Sequence, residues 1–239
     1  MTWNLGGLRI EKILTYFEGV SQDREHRLRH TLILCLQEVC TREETLPGTG
    51  AACNTQESPR WRLTFHRAPG EWRGVAILVR KGEDITWGEQ RRGRCYIQQQ
   101  LHVGGTKWRV TSAHLPCTAR LLETGDILEE WQLALRPLPG WHHLFGADLN
   151  ETFAREDQGG VVSSTARGSL VAQTIQEAGL KLNMDVIETP SYHPYNTRMR
   201  PRRLDYMAAD GEAQGWVGSG HRHEVQSDHD PVGVAVLSL

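Results

Sequence analysis

The sequence is short of cysteine and lysine and has no long apolar run. Its five cysteines stand at 35, 40, 53, 95 and 117, an odd number with no Cys-x-x-Cys pair. That argues against a disulfide framework and against a thiolate zinc site, and favours a reducing compartment. The longest apolar stretches, 32–36 and 75–79, fall far below the ~20 residues of a membrane-spanning helix, so no membrane span is expected. Neither sign of charge dominates: 27 Lys and Arg face 29 Asp and Glu, for a net charge of −2. A site for a polyanion therefore has to be local. Lys12, Lys81, Lys107 and Lys181 are the only lysines, and arginine, the better bidentate phosphate partner, supplies the other basic residues. The first residues, Met1-Thr2-Trp3-Asn4, lack a basic stretch followed by an apolar one. No signal peptide is expected, which favours an intracellular location over secretion. There is no internal repeat, low-complexity tract or dividing linker, so 1–239 is expected to be a single domain.

What is present is an ordinary globular composition, 38% hydrophobic and 23% charged. Ile10, Ile13, Leu14 and Phe17 follow the i, i+3, i+4, i+7 spacing of a helix over about 8–20. Helices are also expected at 121–135 and at 169–178, the latter stopped by Gly179. Extended runs are more numerous: 31–36, 62–66, 74–79, 97–103, 107–113, 142–146, 182–187, 204–208 and 232–237. Gly104-Gly105 joins two of them as a hairpin. Long loops are expected at 41–59, 158–168 and 189–203. Hairpins mixed with helices favour a mixed sheet or two packed sheets.

The chemistry lies where extended runs end. Trp3 is followed by Asn4, and Leu36 by Gln37-Glu38. Ala113 is followed by His114, and Gly146 leads into Asp148-Leu149-Asn150. Leu204 is followed by Asp205, and Ser227 by Asp228-His229. Strands lying side by side would bring these carboxylates, imidazoles and amides to one edge. Such a set suits metal-assisted hydrolysis of a phosphodiester: Mg²⁺ needs one or two carboxylates and keeps several waters, with Mn²⁺ a second possibility. Glu38 is the first choice of ligand, and His229 with Asp205 is the expected carboxylate–imidazole pair.

Seven strings in this order resemble the endonuclease/exonuclease/phosphatase superfamily. They are Thr2-Trp3-Asn4-Leu5-Gly6-Gly7-Leu8, Leu34-Cys35-Leu36-Gln37-Glu38-Val39, Gly74-Val75-Ala76-Ile77, Thr111-Ser112-Ala113-His114-Leu115, Gly146-Ala147-Asp148-Leu149-Asn150, Arg203-Leu204-Asp205-Tyr206 and Ser227-Asp228-His229-Asp230-Pro231-Val232. The resemblance spans residues 2–237. It implies an α+β fold, a four-layered α/β/β/α sandwich of two packed mixed β-sheets with helices outside. It implies Glu38 as metal ligand, assisted by Asn4 and Asp228. Asp148 would align or deprotonate the attacking water, and Asn150 would contact phosphate. His229, oriented by Asp205, would be the phosphate-contacting or base histidine. His114 sits where pancreatic-type deoxyribonucleases and phosphatases of the superfamily carry histidine and apurinic-type endonucleases carry tyrosine, which weakens an abasic-site reading. Gly6 departs from the acidic residue that apurinic-type enzymes often have there.

Arg203-Leu204-Asp205-Tyr206 resembles the nuclease branch, and the Arg-x-Pro-x-Trp-x-Asp-Arg string of inositol polyphosphate phosphatases is missing. Arg198, Arg200, Arg202 and Arg203 precede Asp205, a basic cluster suited to a nucleic-acid backbone, with DNA the expected partner. With the short domain, this is similar to the endonuclease domains of non-LTR retrotransposons, which would imply a nuclear location. The resemblance implies a DNA endonuclease leaving a 3′-hydroxyl and a 5′-phosphate. The alternatives are a phosphomonoesterase or phospholipid phosphodiesterase on the same site, or a catalytically inactive nucleic-acid-binding module. Asp230 is expected to cap a turn before Pro231. His142-His143 and His221-Arg222-His223 lack a four-ligand zinc pattern. Trp72 is a candidate for stacking on a base, and the other tryptophans for packing.

Overall fold

The computed structural model describes residues 1–40, 52–69, 71, 73–155, 161–182, 189–211 and 213–236. Strand β1 (Thr2–Asn4) leads into helix α1 (Ile10–Gln22) and a 3-10 turn at Arg27–His30. Then come β2 (Ile33–Val39), β3 (Ala52–Glu57), β4 (Trp61–Arg67) and β5 (Gly74–Arg80). Next are β6 (Ile85–Gly93), β7 (Tyr96–Val103) and β8 (Thr106–His114), followed by α2 (Leu121–Leu135) and β9 (His142–Asp148). A short antiparallel pair, β10 (Ala154–Arg155) and β11 (Val161–Val162), precedes α3 (Ala166–Glu177). The remainder is β12 (Lys181–Leu182), β13 (Asp205–Ala209), β14 (Ala213–Val217), the single-turn α4 (Arg222–Val225) and β15 (Val232–Val236).

Two mixed sheets result, as expected. One has the order β14-β15-β1-β2-β5-β4-β3, the other β12-β13-β9-β8-β7-β6. Three apolar clusters separate four layers. Ile10, Ile13, Leu14 and Phe17 of α1 pack on Trp3, Leu34, Leu36, Ala76 and Leu78. Cys35, Val75, Ile77 and Val79 of the first sheet meet Ile97, Val110, Leu144 and Met207 of the second. Leu128 and Trp131 of α2 and Val171 and Ile175 of α3 cover Phe145, Ala147 and Tyr206. The period-two alternation of β5 and β9 sends successive side chains to opposite layers, because both faces of each sheet are covered. Gly146 marks the closest approach of the sheets: a Cβ there would lie 2.7 Å from Cys35 Cβ and 2.8 Å from Met207 Sδ.

The three expected helices form, with α3 starting three residues early because the Thr165 hydroxyl caps Gly168 N at 2.9 Å. Several expectations are corrected. The 41–59 loop contains β3, which pairs along β4 from Ala52↔Arg67 to Glu57↔Arg62; its residues 41–51 lie outside the described ones. The 158–168 loop contains β11 and the start of α3, with 158–160 outside the described residues. Of the run at 182–187 only Leu182, the last residue of β12, is described. Strand β6 has no sequence signal because it is an edge strand with most positions exposed and Glu89, Arg91 and Arg92 charged, so it lacks an apolar period. Trp72 lies outside the described residues, while Trp3, Trp61 and Trp131 are fully buried.

Candidate active site

Each sheet contains one parallel pair, and these pairs set the location of the site. Strands β1 and β2 are parallel, with Asn4 opposite Gln37. Strands β8 and β9 are parallel, with His114 opposite Asp148. Parallel strands end on the same edge, so Asn4, Glu38, His114 and Asp148 arrive together. Strand β13 runs antiparallel to β9 and begins at that edge, with Asp205 opposite Asp148. Strand β15 runs antiparallel to β1, so the Asp228-His229 turn before it returns to the same place. Trp3 Nε1 fixes that turn through His229 O at 2.8 Å. The Ser227 hydroxyl donates to Asn4 O at 2.7 Å and accepts from His229 N at 3.0 Å.

Two backbone outliers aim the side chains. Glu38 has φ +52° and Asn150 has φ +50°. Asparagine tolerates this left-handed region, glutamate less so. Glu38 adopts it within a register shift between β2 and β5 that turns its side chain out of the strand alternation.

Asp148 is 1% exposed and held at both oxygens. Asn4 Nδ2 donates to its Oδ2 at 2.8 Å, and Asn150 N to its Oδ1 at 2.9 Å. Burial pushes its carboxyl up, with the Asp205 charge adding to the shift against His229, His114 and Asn4. Asn4 also lies beside Glu38 and stabilises its charged form. Burial would raise the Glu38 carboxyl, yet His114, Asn4 and Arg73 together hold it below the usual value. His114 Nε2 lies 3.8 Å from Glu38 Oε1 and 3.9 Å from Asp148 Oδ2. The amide nitrogen of Asn150 sits 2.9 Å from Leu115 O and 3.4 Å from His114 Nε2, so Asn150 positions the imidazole.

The second half is the pair His229 Nδ1–Asp205 Oδ2, 2.7 Å apart and nearly inaccessible. Burial alone would lower the imidazole, but Asp205, helped by Asp148 and Asp228, pushes it up to about 10. His229 is thus an imidazolium at neutral pH. Ser191 Oγ accepts from the Leu204 and Asp205 backbone nitrogens at 3.1 Å each, and Asp205 Oδ1 is buried without a hydrogen-bond partner. The Tyr192 ring packs against His229 with centroids 5.0 Å apart. Ser191, Tyr192 and Arg73 gave no sequence signal, because their roles come from contacts far along the chain.

Ligand atoms of Glu38, His114 and Asp148 all lie within 4.8 Å of one another, as do those of Asp148, Asp205 and His229. Asp148 joins the two groups. Asp228 belongs to neither; its Oδ1 lies 3.8 Å from His229 Nε2. A cleft of about 180 Å³ opens beside Glu38 and His114, with Arg73, His66 and Glu71 on its wall. Arg198, Arg200 and Arg202 are exposed, as an arginine run suggests. Arg203 is not: it is 3% exposed, donates to Thr189 O at 3.2 Å and lies over the Tyr206 ring. Its expected place among the phosphate-binding residues is corrected, since burial beneath the sheet edge removes the guanidinium from solvent and holds its pKa below the ordinary value. The Asp230 side chain does not cap the turn before Pro231 but accepts from Gly220 N and from the Arg222 backbone and side chain, at the start of α4.

Among the described residues, one further metal-competent group forms, from His26, His221 and Glu224. His26 Nδ1 accepts from Leu28 N at 3.1 Å, so a neutral ring keeps its proton on Nε2 and donates it to Glu224. Tyr16 OH donates to the same carboxylate, which therefore ties α1, the 3-10 turn and α4 together.

No sequence-family model matches the chain, and no curated protein sequence matches it. Solved structures do match in fold. The endonuclease domain of TRAS1, a telomere-specific non-LTR retrotransposon, superposes with TM-score 0.64 at 17% identity, covering 99% of this chain and 97% of that one. D. rerio TDP2 complexed with single-strand DNA product gives 0.58 at 14%, covering 97% and 95%. The mannosyl-6-phosphatase Bt3783 of Bacteroides thetaiotaomicron gives 0.54 at 11%, covering 99% and 98%. The fold is that of endonuclease/exonuclease/phosphatase proteins.

Proposed function

We propose that this chain is a divalent-metal-dependent phosphodiester hydrolase, a DNA endonuclease that cleaves by in-line attack of water. A fold supports many activities, so the reading rests on the site. The observation that carries it is the meeting of Glu38, His114, Asp148, Asp205 and His229, from five separate stretches of chain, in one acidic cluster beside a cleft.

The donor set fits a hard divalent cation. Glu38 and Asp148 offer carboxylate oxygens and His114 an imidazole nitrogen within mutual ligating distance. Mg²⁺ suits the carboxylates, and the imidazole accommodates Mn²⁺ as well. When bound, such an ion polarises a phosphoryl oxygen and stabilises charge on the leaving oxygen.

The chain's own groups supply the rest. Asp148 is rigid at both oxygens and more basic than a solvated carboxylate, which suits it to orient an attacking water and take its proton. Asn150 and Asn4 keep Asp148 and His114 in register. His229 is charged at neutral pH, so its role is to hold a phosphoryl oxygen and offset developing negative charge, with Asp205 fixing the ring. Exposed Arg198 and Arg200 would contact backbone phosphates flanking the scissile one, a salt-sensitive contribution.

Nicking of supercoiled plasmid tests this. The purified chain should nick with Mg²⁺ or Mn²⁺ and stop with EDTA, and Glu38→Gln should abolish nicking while the fold, followed by circular dichroism, is kept. Nicking undiminished in the folded variant would overturn the assignment. Inositol phosphate or sphingomyelin turnover without nicking would select the phosphatase or phospholipase alternative. DNA binding without cleavage would select an inactive binding module.

A further inference from the structure

We infer that Arg73 is the resident counter-cation of Glu38, displaced when a divalent ion binds and then available to hold a substrate phosphate on the cleft wall. This role rests on the phosphodiesterase reading and extends it to a residue with no signal in the sequence.

The geometry comes from the strand register. Arg73 immediately precedes β5, whose first residue, Gly74, pairs with Val39 across the register shift that turns Glu38 outward. Its Nη1 reaches Glu38 Oε2, while His114 Nε2 faces the other oxygen, Oε1, at 3.8 Å. The carboxylate is thus bracketed, with a guanidinium on one oxygen and an imidazole near the other. Among the described residues, Glu38 is the one polar partner of Arg73. The guanidinium crosses the Gly6-Gly7 turn, where a Cβ on Gly7 would stand 3.3 Å from Arg73 Nε. Gly7 has φ +93°, so this close approach is compatible with the backbone glycine permits.

Electrostatics give the contact a function. Glu38, Asp148 and Asp205 concentrate negative charge at one edge, and a cation lowers the cost of holding them together. Arg73 supplies a cation from within the chain. A divalent ion on Glu38 faces repulsion from that guanidinium for as long as it stays. Arg73 can leave, because its side chain is 49% exposed whereas that of Glu38 is 22% exposed. It leaves into a cleft that it shares with His114. A planar fork of donors there matches a phosphate oxygen pair.

Calorimetric titration of the whole chain with Mn²⁺, without DNA, separates the possibilities. Arg73→Ala should bind Mn²⁺ about tenfold more tightly than the unaltered chain, since a repelling charge is gone. Arg24→Ala, an exposed arginine beyond the far end of α1, should leave that affinity unchanged. Nicking should move the opposite way in Arg73→Ala, with a raised KM for plasmid. Unchanged Mn²⁺ affinity in Arg73→Ala, with binding still lost in Glu38→Gln, would overturn the role of Arg73 and leave the Glu38 site standing. Equal tightening in Arg24→Ala would reduce the effect to net charge and overturn it too. A plasmid KM unchanged in Arg73→Ala would remove the phosphate contact. Unchanged Mn²⁺ binding in Glu38→Gln would instead defeat the site itself.

Discussion

Strands β8 and β9 carry two buried polar clusters, one toward each end, and they handle charge in opposite ways. Near the strand beginnings Arg109 stands opposite His143. The Arg109 guanidinium donates to Ala134 O at 3.3 Å and Arg136 O at 2.6 Å, the carbonyls ending α2. Gln98 Nε2 donates to Ala134 O at 2.8 Å and to Thr111 Oγ1 at 3.0 Å, and Thr111 Oγ1 lies 2.9 Å from His143 Nε2. Burial, reinforced by Arg109, pushes the His143 imidazole down to about 3, so it is neutral. The cluster's positive charge rests on the negative end of a helix dipole. At the strand ends His114 stands opposite Asp148, its Nε2 3.9 Å from the carboxylate. A polar cluster that closes on its own backbone serves stability. One that gathers carboxylates against an imidazolium and a displaceable guanidinium can take a cation from outside.

The contrast breaks most visibly at Asp148. Asp148→Asn should lower nicking per folded molecule by about 10³-fold, separately from the about 1–3 kcal/mol that a buried amide facing the Asn4 and Asn150 donors should cost in urea unfolding. A folded variant with full activity would put both clusters in the structural class. Arg109→Ala should do the reverse. Opening the α2 carbonyls and losing charged hydrogen bonds should cost about 2–3 kcal/mol in urea unfolding, with nicking per folded molecule unchanged. Loss of activity without loss of stability would erase the distinction.

Two pH experiments sharpen it. His229 stays charged until pH approaches its value of about 10, so nicking should persist across the neutral range and fall on the alkaline side. Asp205→Asn removes the main charge that raises the imidazole, and the fall should move to lower pH by at least about one unit. An unshifted profile would deny the pair that role. His143 works the other way. Its ordinary value is 6.5 and its folded value about 3, so below pH 6.5 the unfolded chain takes up a proton the folded chain refuses. Its contribution is full above pH 6.5 and is lost as pH falls toward 3, at up to about 1.4 kcal/mol per pH unit. His143→Gln should flatten that slope.

Much of the fold was legible because the chain alternates where it should. The apolar period of α1 and the β-branched run of β5 mark their elements whatever packs on them. Strand β6, with its exposed charges, had no such mark. At the site, polar residues closing apolar runs marked Asn4, Glu38, His114, Asp148, Asp205 and His229 as candidates, and the sheet edges bring these side chains together. Arg203 was misread because a buried arginine looks like its exposed neighbours until its surroundings are known. Arg109 and His143 carried no local mark of burial; α2 covers them both.

The sequence by itself determined which segments are strands and helices and which polar groups stand at strand ends, because alternation and turn chemistry are local. Only the tertiary structure decided that two parallel pairs share an edge, that Arg73 lies on Glu38, and that one buried histidine is charged while the other is neutral. Those outcomes depend on which groups become neighbours across many residues of chain, and a local pattern carries no record of distance or burial.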